Sequence, residues 1–184
     1  MTALHLLAGV AAISLPALAQ VAPIQAPPPR PLAHLTTSFD FVIRAPIAQA
    51  APLFGPEGER AWAGKHWNPE FLYPQPARDI EGAVFTIQHG EMKAVWVNTQ
   101  FDLGAGRFQY VYFLPELMVT VIDVHLKPEG DNSTRVNVVY TRTALTAEGN
   151  EHVTAMSEGD KTSGKEWEQA INASLTTGKG TSTP

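Results

Sequence analysis

Between residues 35 and 146, apolar and polar positions alternate along much of the chain, which is typical of β-strands with one buried face. In the first such segment, 36–43, the side chains of Thr37, Phe39, Phe41 and Ile43 share one face. Six more segments follow between short turns rich in Gly and Pro, and strands are predicted at 67–73, 82–89, 94–101, 107–113, 117–127 and 134–145. Because strands joined by short turns pair antiparallel, the pattern predicts one antiparallel sheet of about six or seven strands.

Two short helices are predicted after the first strand. Pro46 and Pro56 each stand where a helix can begin. The N–H groups of the first helical turn have no acceptor within the helix, so a proline there loses no hydrogen bond. The helices would cover 47–53 and 57–63, and a turn at Phe54–Gly55 would separate them.

The C-terminal segment 150–178 changes to helical spacing. One face carries Val153, Met156, Trp167, Ala170, Ile171 and Ser174. Asn150 is the expected N-cap, and Gly178 is the expected C-terminal stop. The middle contains Gly159 and Gly164, each of which costs a helix about 1 kcal/mol relative to Ala. Two interpretations stay open: two shorter helices joined by a loop, or one helix whose inward face is small there.

A curved antiparallel sheet wrapped around one long C-terminal helix is an α+β arrangement. If that helix is continuous, its central inward positions offer only Asp160 and Ser163. Small residues facing a sheet leave a space, and a protein that keeps such a space generally fills it with a ligand or water.

The ends of the chain have different compositions. Residues 1–19 are apolar, uncharged, broken by Pro16 and closed by the A-x-A pattern Ala17–Ala19, so a signal peptide cleaved before Gln20 is predicted. Residues 20–33 form a proline-rich linker, 34–178 the domain, and 179–184 a disordered tail. The expected location is therefore periplasmic or secreted, with no stable membrane insertion after cleavage.

Charge and composition narrow the function. The formal net charge is −5 with 17% charged residues and no basic cluster, which argues against nucleic acid as a partner. The sequence has no Cys, which excludes disulfides and thiolate chemistry. No nucleophile elbow, phosphate loop or metal-binding His spacing occurs, so neither a cofactor nor a metal site is predicted. His89 and His125 are only a weak metal pair.

Segment 54–74, together with the order of elements, resembles the START-like or SRPBCC superfamily of polyketide cyclase/dehydrase and lipid-transport type. The residues that carry the resemblance are Phe54, Pro56, Glu57, Glu59, Trp62, Trp67, Pro69, Phe71 and Trp167. It covers about residues 35–178. The resemblance implies the helix-grip fold and a hydrophobic pocket between sheet and C-terminal helix. It does not decide the function, because members of this fold differ widely in what they bind or transform.

The main hypothesis is an exported protein that holds a lipid-like or aromatic small molecule in that pocket without turning it over. The residues expected to contact the ligand are Trp96, Phe108, Tyr110, Tyr112, Val138, Tyr140, Met156 and Trp167. A second hypothesis is an enzyme of the cyclase/dehydratase type, and a third is a protein-binding module with an exposed apolar groove.

Candidate catalytic groups are few. Asp123 and His125 alternate with Lys127 and are expected on a solvated outer face; pointing inward, they would form an acid–base pair. Tyr140 and Arg142 are the other weak candidates. Glu59, on the second short helix beside Arg60, is expected to hold that helix to the sheet, with a place at the pocket entrance as the alternative.

Overall fold

The computed structural model describes residues 31–177. The predicted signal peptide, most of the predicted proline-rich linker and the C-terminal residues from Gly178 onward lie outside the described residues. Seven strands are present: β1 His34–Ile43, β2 Glu70–Tyr73, β3 Val84–His89, β4 Met92–Asp102, β5 Arg107–Leu114, β6 Met118–Pro128 and β7 Thr134–Ala144.

The helical elements follow the predicted order. A short α1, Ile47–Ala50, continues into a 3-10 helix, Ala51–Phe54, and a second 3-10 helix spans Gly58–Ala61. The long C-terminal helix is α2, Ala147–Thr177. Both predicted short helices are therefore present, although they are shorter than expected. Pro52 has no N–H to continue the α-helical ladder of α1, which gives way there to the 3-10 helix.

One curved antiparallel sheet contains every described strand, in the order β1-β7-β6-β5-β4-β3-β2. The chain therefore runs as a meander from β2 to β7, and β1 closes the far side against β7. α2 packs on β1, β7 and β6. This is the helix-grip arrangement that the sequence predicted.

The inward face of the central strands consists of even-numbered residues. In β6 the buried residues alternate strictly from Met118 to Leu126, with partly exposed residues between them. The register aligns rows across the sheet, so that Tyr110 of β5 lies opposite Ile122, which lies opposite Tyr140. A second row joins Trp96, Tyr112, Thr120 and Arg142. These two rows form the floor of the space under α2.

α2 is continuous through Gly159 and Gly164, so the interpretation as two shorter helices is wrong. The packing of this segment explains the result. Gly164 is buried, and a Cβ there would lie 3.2 Å from the Phe39 ring, so Gly permits close contact between helix and sheet. Asp160 is also buried and pairs with the sheet. Tertiary contacts therefore outweigh the low helix propensity of the two glycines.

The N-terminus of α2 differs from the prediction. Thr146 caps the helix, since its hydroxyl accepts a hydrogen bond from the Gly149 N–H at 3.2 Å. Asn150 lies within the first turn and instead ties down the start of the domain: its Oδ1 accepts from the Ala33 N–H at 2.7 Å, and its Nδ2 donates to the Pro31 carbonyl. Of the helices between Pro31 and Thr177, none is long and apolar enough to cross a membrane.

Candidate functional site

Three adjoining cavities lie under α2, two of them against the sheet and one against the segment of the second 3-10 helix, and they share aromatic walls. The Glu59 end, of about 340 Å³, opens to solvent beside the second 3-10 helix. The Arg142 end, of about 330 Å³, opens beside the middle of α2. A neck of about 50 Å³ lies between them. Trp67 lines all three cavities, so the loop before β2 forms a wall common to the whole site.

The Glu59 end is built from the second 3-10 helix and the C-terminal half of α2. Its lining residues are Glu59, Trp62, Ala63, Trp67, Glu166, Trp167 and Ala170. The rings of Trp62 and Trp167 lie 4.9 Å apart between centroids. Trp167 also meets Phe39 and Phe41 of β1 edge-on. The Trp167 indole is therefore held between β1 of the sheet and Trp62.

Close backbone contacts place the second 3-10 helix against the rest of the domain. A Cβ on Gly58 would lie 2.0 Å from the Pro52 carbonyl oxygen, and one on Gly55 would lie 2.2 Å from the Asp79 carboxyl. The Asp79 carboxylate accepts from the backbone N–H groups of Glu57 and Gly58 at 2.8 and 3.1 Å. This arrangement turns the side chain of Glu59 inward, where it is 7% exposed.

Glu59 has an unusual environment for a carboxyl group. Arg60 does not pair with it: the guanidinium binds Glu57 at 2.8 Å, Asn68 and the Pro69 carbonyl. Arg60, and not Glu59, therefore connects this helix to the loop before β2, which corrects the expectation that Glu59 holds the helix in place. Among residues 31–177 no side chain or backbone group hydrogen-bonds to the Glu59 carboxyl. Burial, reinforced by the nearby Asp79 carboxylate, raises the pKa of Glu59 well above its usual value.

The neck joins Glu59 to the hydroxyl-bearing rings of the sheet. Its lining residues are Glu59, Trp67, Trp96, Tyr110, Ile122, Val124, Tyr140 and Trp167. Burial raises the pKa of Tyr110 and of Tyr140 well above the ordinary tyrosine value, and the Glu59 charge adds to both shifts. Both phenols therefore stay neutral and able to donate a hydrogen bond.

The Arg142 end contains a buried ion pair. Arg142 Nη1 and Nη2 donate to the two carboxylate oxygens of Asp160 at 2.5 and 3.0 Å, and Thr37 Oγ1 donates to the same carboxylate. The guanidinium also lies 4.3 Å from the centroid of the Tyr140 ring. The remaining wall contains His89, Tyr112, Met156, Gly159 and Ser163, together with residues already named for the neck. Burial lowers the pKa of His89, so its ring stays neutral near pH 7.

Several polar atoms of the cavity walls have no hydrogen-bond partner within residues 31–177. They are His89 Nε2, Trp96 Nε1, Tyr110 Oη and Arg142 Nε. A buried polar atom left unpaired costs about 1–3 kcal/mol. These atoms therefore mark positions where a polar group of a bound molecule would be stabilised.

The predicted contact residues divide into two groups. Trp96, Tyr110, Tyr112, Tyr140, Met156 and Trp167 line the cavities. Phe108 and Val138 do not: both point inward but are 1% and 0% exposed in the packed core, where Phe108 stacks on Phe54. Phe54, the last residue of the first 3-10 helix, therefore covers Phe108 and fills the space beside it.

Asp123 and His125 lie on the outer face of the sheet, opposite the buried Ile122 and Val124. Asp123 accepts a hydrogen bond from Gln109 at 2.8 Å, and His125 lies 3.2 Å from Arg107. The inward acid–base pair is therefore wrong, because the strict alternation of β6 points both side chains away from the cavities. His89 and His125 are on opposite faces, and residues 31–177 hold no cluster of three or more His, Asp or Glu suited to a metal ion.

Sequence reasoning placed Glu59 at the pocket entrance only as the alternative to a structural role, and it named Trp62 and Trp67 as residues that carry the resemblance but not as cavity walls. A surface-like Glu–Gly–Glu–Arg sequence conceals the inward turn of a 3-10 helix. The available signal was the Trp at 62, three residues after Glu59: residues i and i+3 eclipse in a 3-10 helix, so a buried Trp62 implies a buried Glu59.

No protein-family model matches the chain. No curated protein matches it either. Solved structures do match. Mll3558 from Rhizobium loti is similar over 79% of this chain and 99% of its own, with 18% identity and a TM-score of 0.56.

Two further solved structures extend the comparison. Ara h 8.0201 is 15% identical, with a TM-score of 0.53 over 78% of this chain and 99% of that one. Norcoclaurine synthase from Thalictrum flavum is 9% identical, with a TM-score of 0.56 over 79% and 88%. At these identities the likeness shows the helix-grip fold alone.

Proposed function

We propose that this protein binds a hydrophobic small molecule, aromatic or lipid-like, in the space between the sheet and α2. The observation that carries the proposal is the set of adjoining cavities walled by Trp62, Trp67, Trp96 and Trp167 and open at both ends. Cavities of this volume fall in the range of about 300–1,000 Å³ that small-molecule sites occupy. The START-like resemblance in segment 54–74 agrees with this use of the fold.

The walls also suit a ligand with a small number of polar groups. Most of the lining is aromatic, and the unpaired atoms of Tyr110, Trp96 and Arg142 offer hydrogen bonds at separate points. A mainly apolar wall with a few convergent polar groups is the usual composition of a binding site.

The test is native mass spectrometry of the protein as it is purified from its own host. A bound species that is released on denaturation and extracts into organic solvent is the expected result. Displacement of 1-anilinonaphthalene-8-sulfonate or a fluorescent fatty acid provides a second readout. An unliganded mass, together with no probe binding, would overturn the proposal.

We also propose export, on the basis of the apolar segment 1–19 and its A-x-A end. The mass of the protein recovered from the cell envelope is the direct check. Removal of residues 1–19 is expected, whereas full-length protein confined to the cytoplasm would contradict export.

An enzyme of the cyclase/dehydratase type is the second candidate, and Glu59 is the observation that favours it. A buried carboxyl with a raised pKa, next to two neutral phenols, has the composition of a general acid–base site. Incubation of the extracted ligand with the protein separates the two functions. A binding protein returns the ligand unchanged, whereas an enzyme yields a product whose formation requires Glu59. The third hypothesis, a protein-binding groove, has no comparable observation, since α2 and the short helices cover the inward face of the sheet.

A further inference from the structure

The Glu59 end of the site has an uncompensated acidic character. Two carboxyl groups, Glu59 and Glu166, line it, and none of its lining residues between Pro31 and Thr177 is Lys, Arg or His. Asp79 adds a third carboxylate close enough to shift the pKa of Glu59. Glu166 is exposed at the rim, whereas Glu59 is buried and has no hydrogen-bond partner within the described chain.

Three indoles, those of Trp62, Trp67 and Trp167, line the same space. Trp62 Nε1 donates to the Leu53 carbonyl at 2.7 Å, and Trp67 Nε1 donates to the Pro56 carbonyl at 2.8 Å. Their N–H groups are therefore occupied by backbone and are not available to a ligand. What remains toward the cavity is aromatic surface, with Trp167 4.9 Å from Trp62 between ring centroids.

Arg60, the cationic residue next to Glu59 in sequence, does not contact the Glu59 carboxyl. Arg60 is held by Glu57, Asn68 and the Pro69 carbonyl on the outer side of the same helix. The chain therefore supplies the Arg142 end of the cavity with its own counter-ion for Asp160 but leaves the Glu59 end without one.

We propose that the Glu59 end binds an organic ammonium group, so that the ligand of this protein is an apolar molecule carrying one protonated amine. Glu59 is the counter-ion, and Trp62, Trp67 and Trp167 surround the cation. This inference rests on the proposed small-molecule function and names the chemical class of the ligand.

Each wall of the site favours a cation over the alternatives. A cation over an indole face gains about 0.5–2 kcal/mol, and the gain is largest when the site is desolvated. A hydrogen bond to a charged partner contributes about 1.5–3 kcal/mol. An anionic head group would meet Glu59, Glu166 and Asp79 without a neutralising side chain. A neutral alcohol could hydrogen-bond to the Glu59 carboxyl but would gain no cation–π attraction from the indoles.

Binding should also release a proton. Burial raises the pKa of the Glu59 carboxyl in the free protein and so favours its protonated form, whereas an ammonium ion beside it stabilises the carboxylate and lowers that pKa. The groups that face Glu59 are Asp79 before β3, Tyr110, Tyr140 and, from α2, Glu166. The two phenols have raised pKa values and stay neutral, so the exchange is carried by the carboxyl groups.

The experiment compares three probes with one carbon skeleton: 3-phenylpropylammonium, 3-phenylpropan-1-ol and 3-phenylpropanoate. Their affinities for the full-length protein are measured by calorimetry at pH 7.5, in buffers of different ionisation enthalpy to count protons. The ammonium ion is expected to bind about tenfold or more tightly than the alcohol, with proton release, and the carboxylate is expected to bind least.

The decisive variant is Glu59→Gln, which keeps the size of the side chain. It should bring the ammonium affinity down to that of the alcohol, abolish proton release and leave alcohol binding nearly unchanged. Glu151→Gln, an exposed change on the first turns of α2, is the matched control and should bind all three probes as the parent does. Thermal melting of each variant shows whether it is folded.

The outcomes separate the two proposals. If the alcohol or the carboxylate binds as tightly as the ammonium ion, or if Glu59→Gln retains the preference, the ammonium site is wrong and the small-molecule function stands. If none of the probes binds and no native ligand is recovered, both proposals fail.

Discussion

Asp160 and Glu59 are two buried carboxyl groups of the same set of cavities, and they differ in whether the protein gives them hydrogen-bond partners. Asp160 receives two hydrogen bonds from Arg142 and one from Thr37, so each element that meets there contributes a partner. Glu59 is buried to the same degree, 7% exposed against 6%, yet receives none from residues 31–177. Burial alone therefore does not distinguish a structural acid from a functional one; the presence of partners does.

The difference has an energetic meaning. Removing one partner of a buried ion pair is strongly destabilising because the other charge is left uncompensated, whereas an unpaired buried carboxyl is destabilising as it stands and is relieved by taking up a proton. The Arg142–Asp160 pair connects β7 to the middle of α2, where two glycines weaken the helix. We infer that the pair holds the helix on the sheet, and that Glu59 is retained for what it can bind.

Removing the Asp160 charge should have the largest effect on stability. Asp160→Asn leaves Arg142 buried beside a neutral partner, and breaking a buried pair in this way costs about 3–5 kcal/mol. The free energy of unfolding, measured by urea titration, should fall by that amount. Glu158→Gln, which breaks an exposed pair with Lys161 on the same helix, is the control and should change it by about 0–1 kcal/mol.

A double variant strengthens the test. Arg142→Met combined with Asp160→Leu removes both charges and should recover much of the lost stability, because an apolar pair of similar volume needs no counter-ion. Equal losses for Asp160→Asn and Glu158→Gln would show that the pair does not hold α2 in place.

Glu59, in contrast to Asp160, should make the free energy of unfolding decrease as the pH rises. Its folded-state pKa is raised above the usual 4.5, so the folded protein binds this proton more tightly than the unfolded chain. The stabilisation is complete below about pH 4.5 and is lost as the pH rises through the folded-state pKa, by up to about 1.4 kcal/mol per pH unit.

Glu59→Gln should remove that slope and be the more stable form at high pH. Urea titrations of both proteins between pH 5 and pH 8 provide the difference, in which the titration of the distant His89 cancels and Glu59 and the neighbouring Asp79 are compared as a coupled pair. A difference that does not change with pH would mean that Glu59 is not a desolvated acid, and the contrast with Asp160 would disappear.

The sequence predicted the fold well because strands and helices follow from the spacing of apolar residues along the chain. Alternation in β6 and β7 located both strands within about two residues, and even the failure of Asp123 and His125 as a pair follows from that alternation. The continuity of α2 was not decidable, since two glycines argue for a break and only the sheet contacts of Asp160 and Gly164 argue against it. Most of the cavity wall on the sheet and α2 was predicted. Glu59 was placed at the pocket only as the alternative to a structural role, because local spacing does not show which way a one-turn 3-10 helix faces.

The two glycines of α2 provide a smaller test beside the ion pair. A Cβ on Gly159 meets nothing within 4 Å, so Gly159→Ala should stabilise the protein by about 0.5–1 kcal/mol through helix propensity alone. Gly164→Ala places its Cβ 3.2 and 3.3 Å from Phe39 and should lose that gain to the displaced ring. Thermal melting of the two variants compares them directly; equal stabilisation would mean that α2 is not tightly seated at Gly164.

The smallest effect is expected at Tyr110, on the neck between the two acids. Its hydroxyl is buried without a hydrogen-bond partner among residues 31–177 and faces the same neck as Glu59. Tyr110→Phe removes a polar atom that the folded chain does not use, so stability should stay within about 1 kcal/mol of the parent or rise. If the hydroxyl instead serves a ligand, binding of 3-phenylpropan-1-ol should weaken in the same variant. A loss of stability with unchanged binding would mean that the Tyr110 hydroxyl, like Asp160, has a structural role. The proposed ligand contacts at this end of the site would then be those of Glu59 and not of Tyr110.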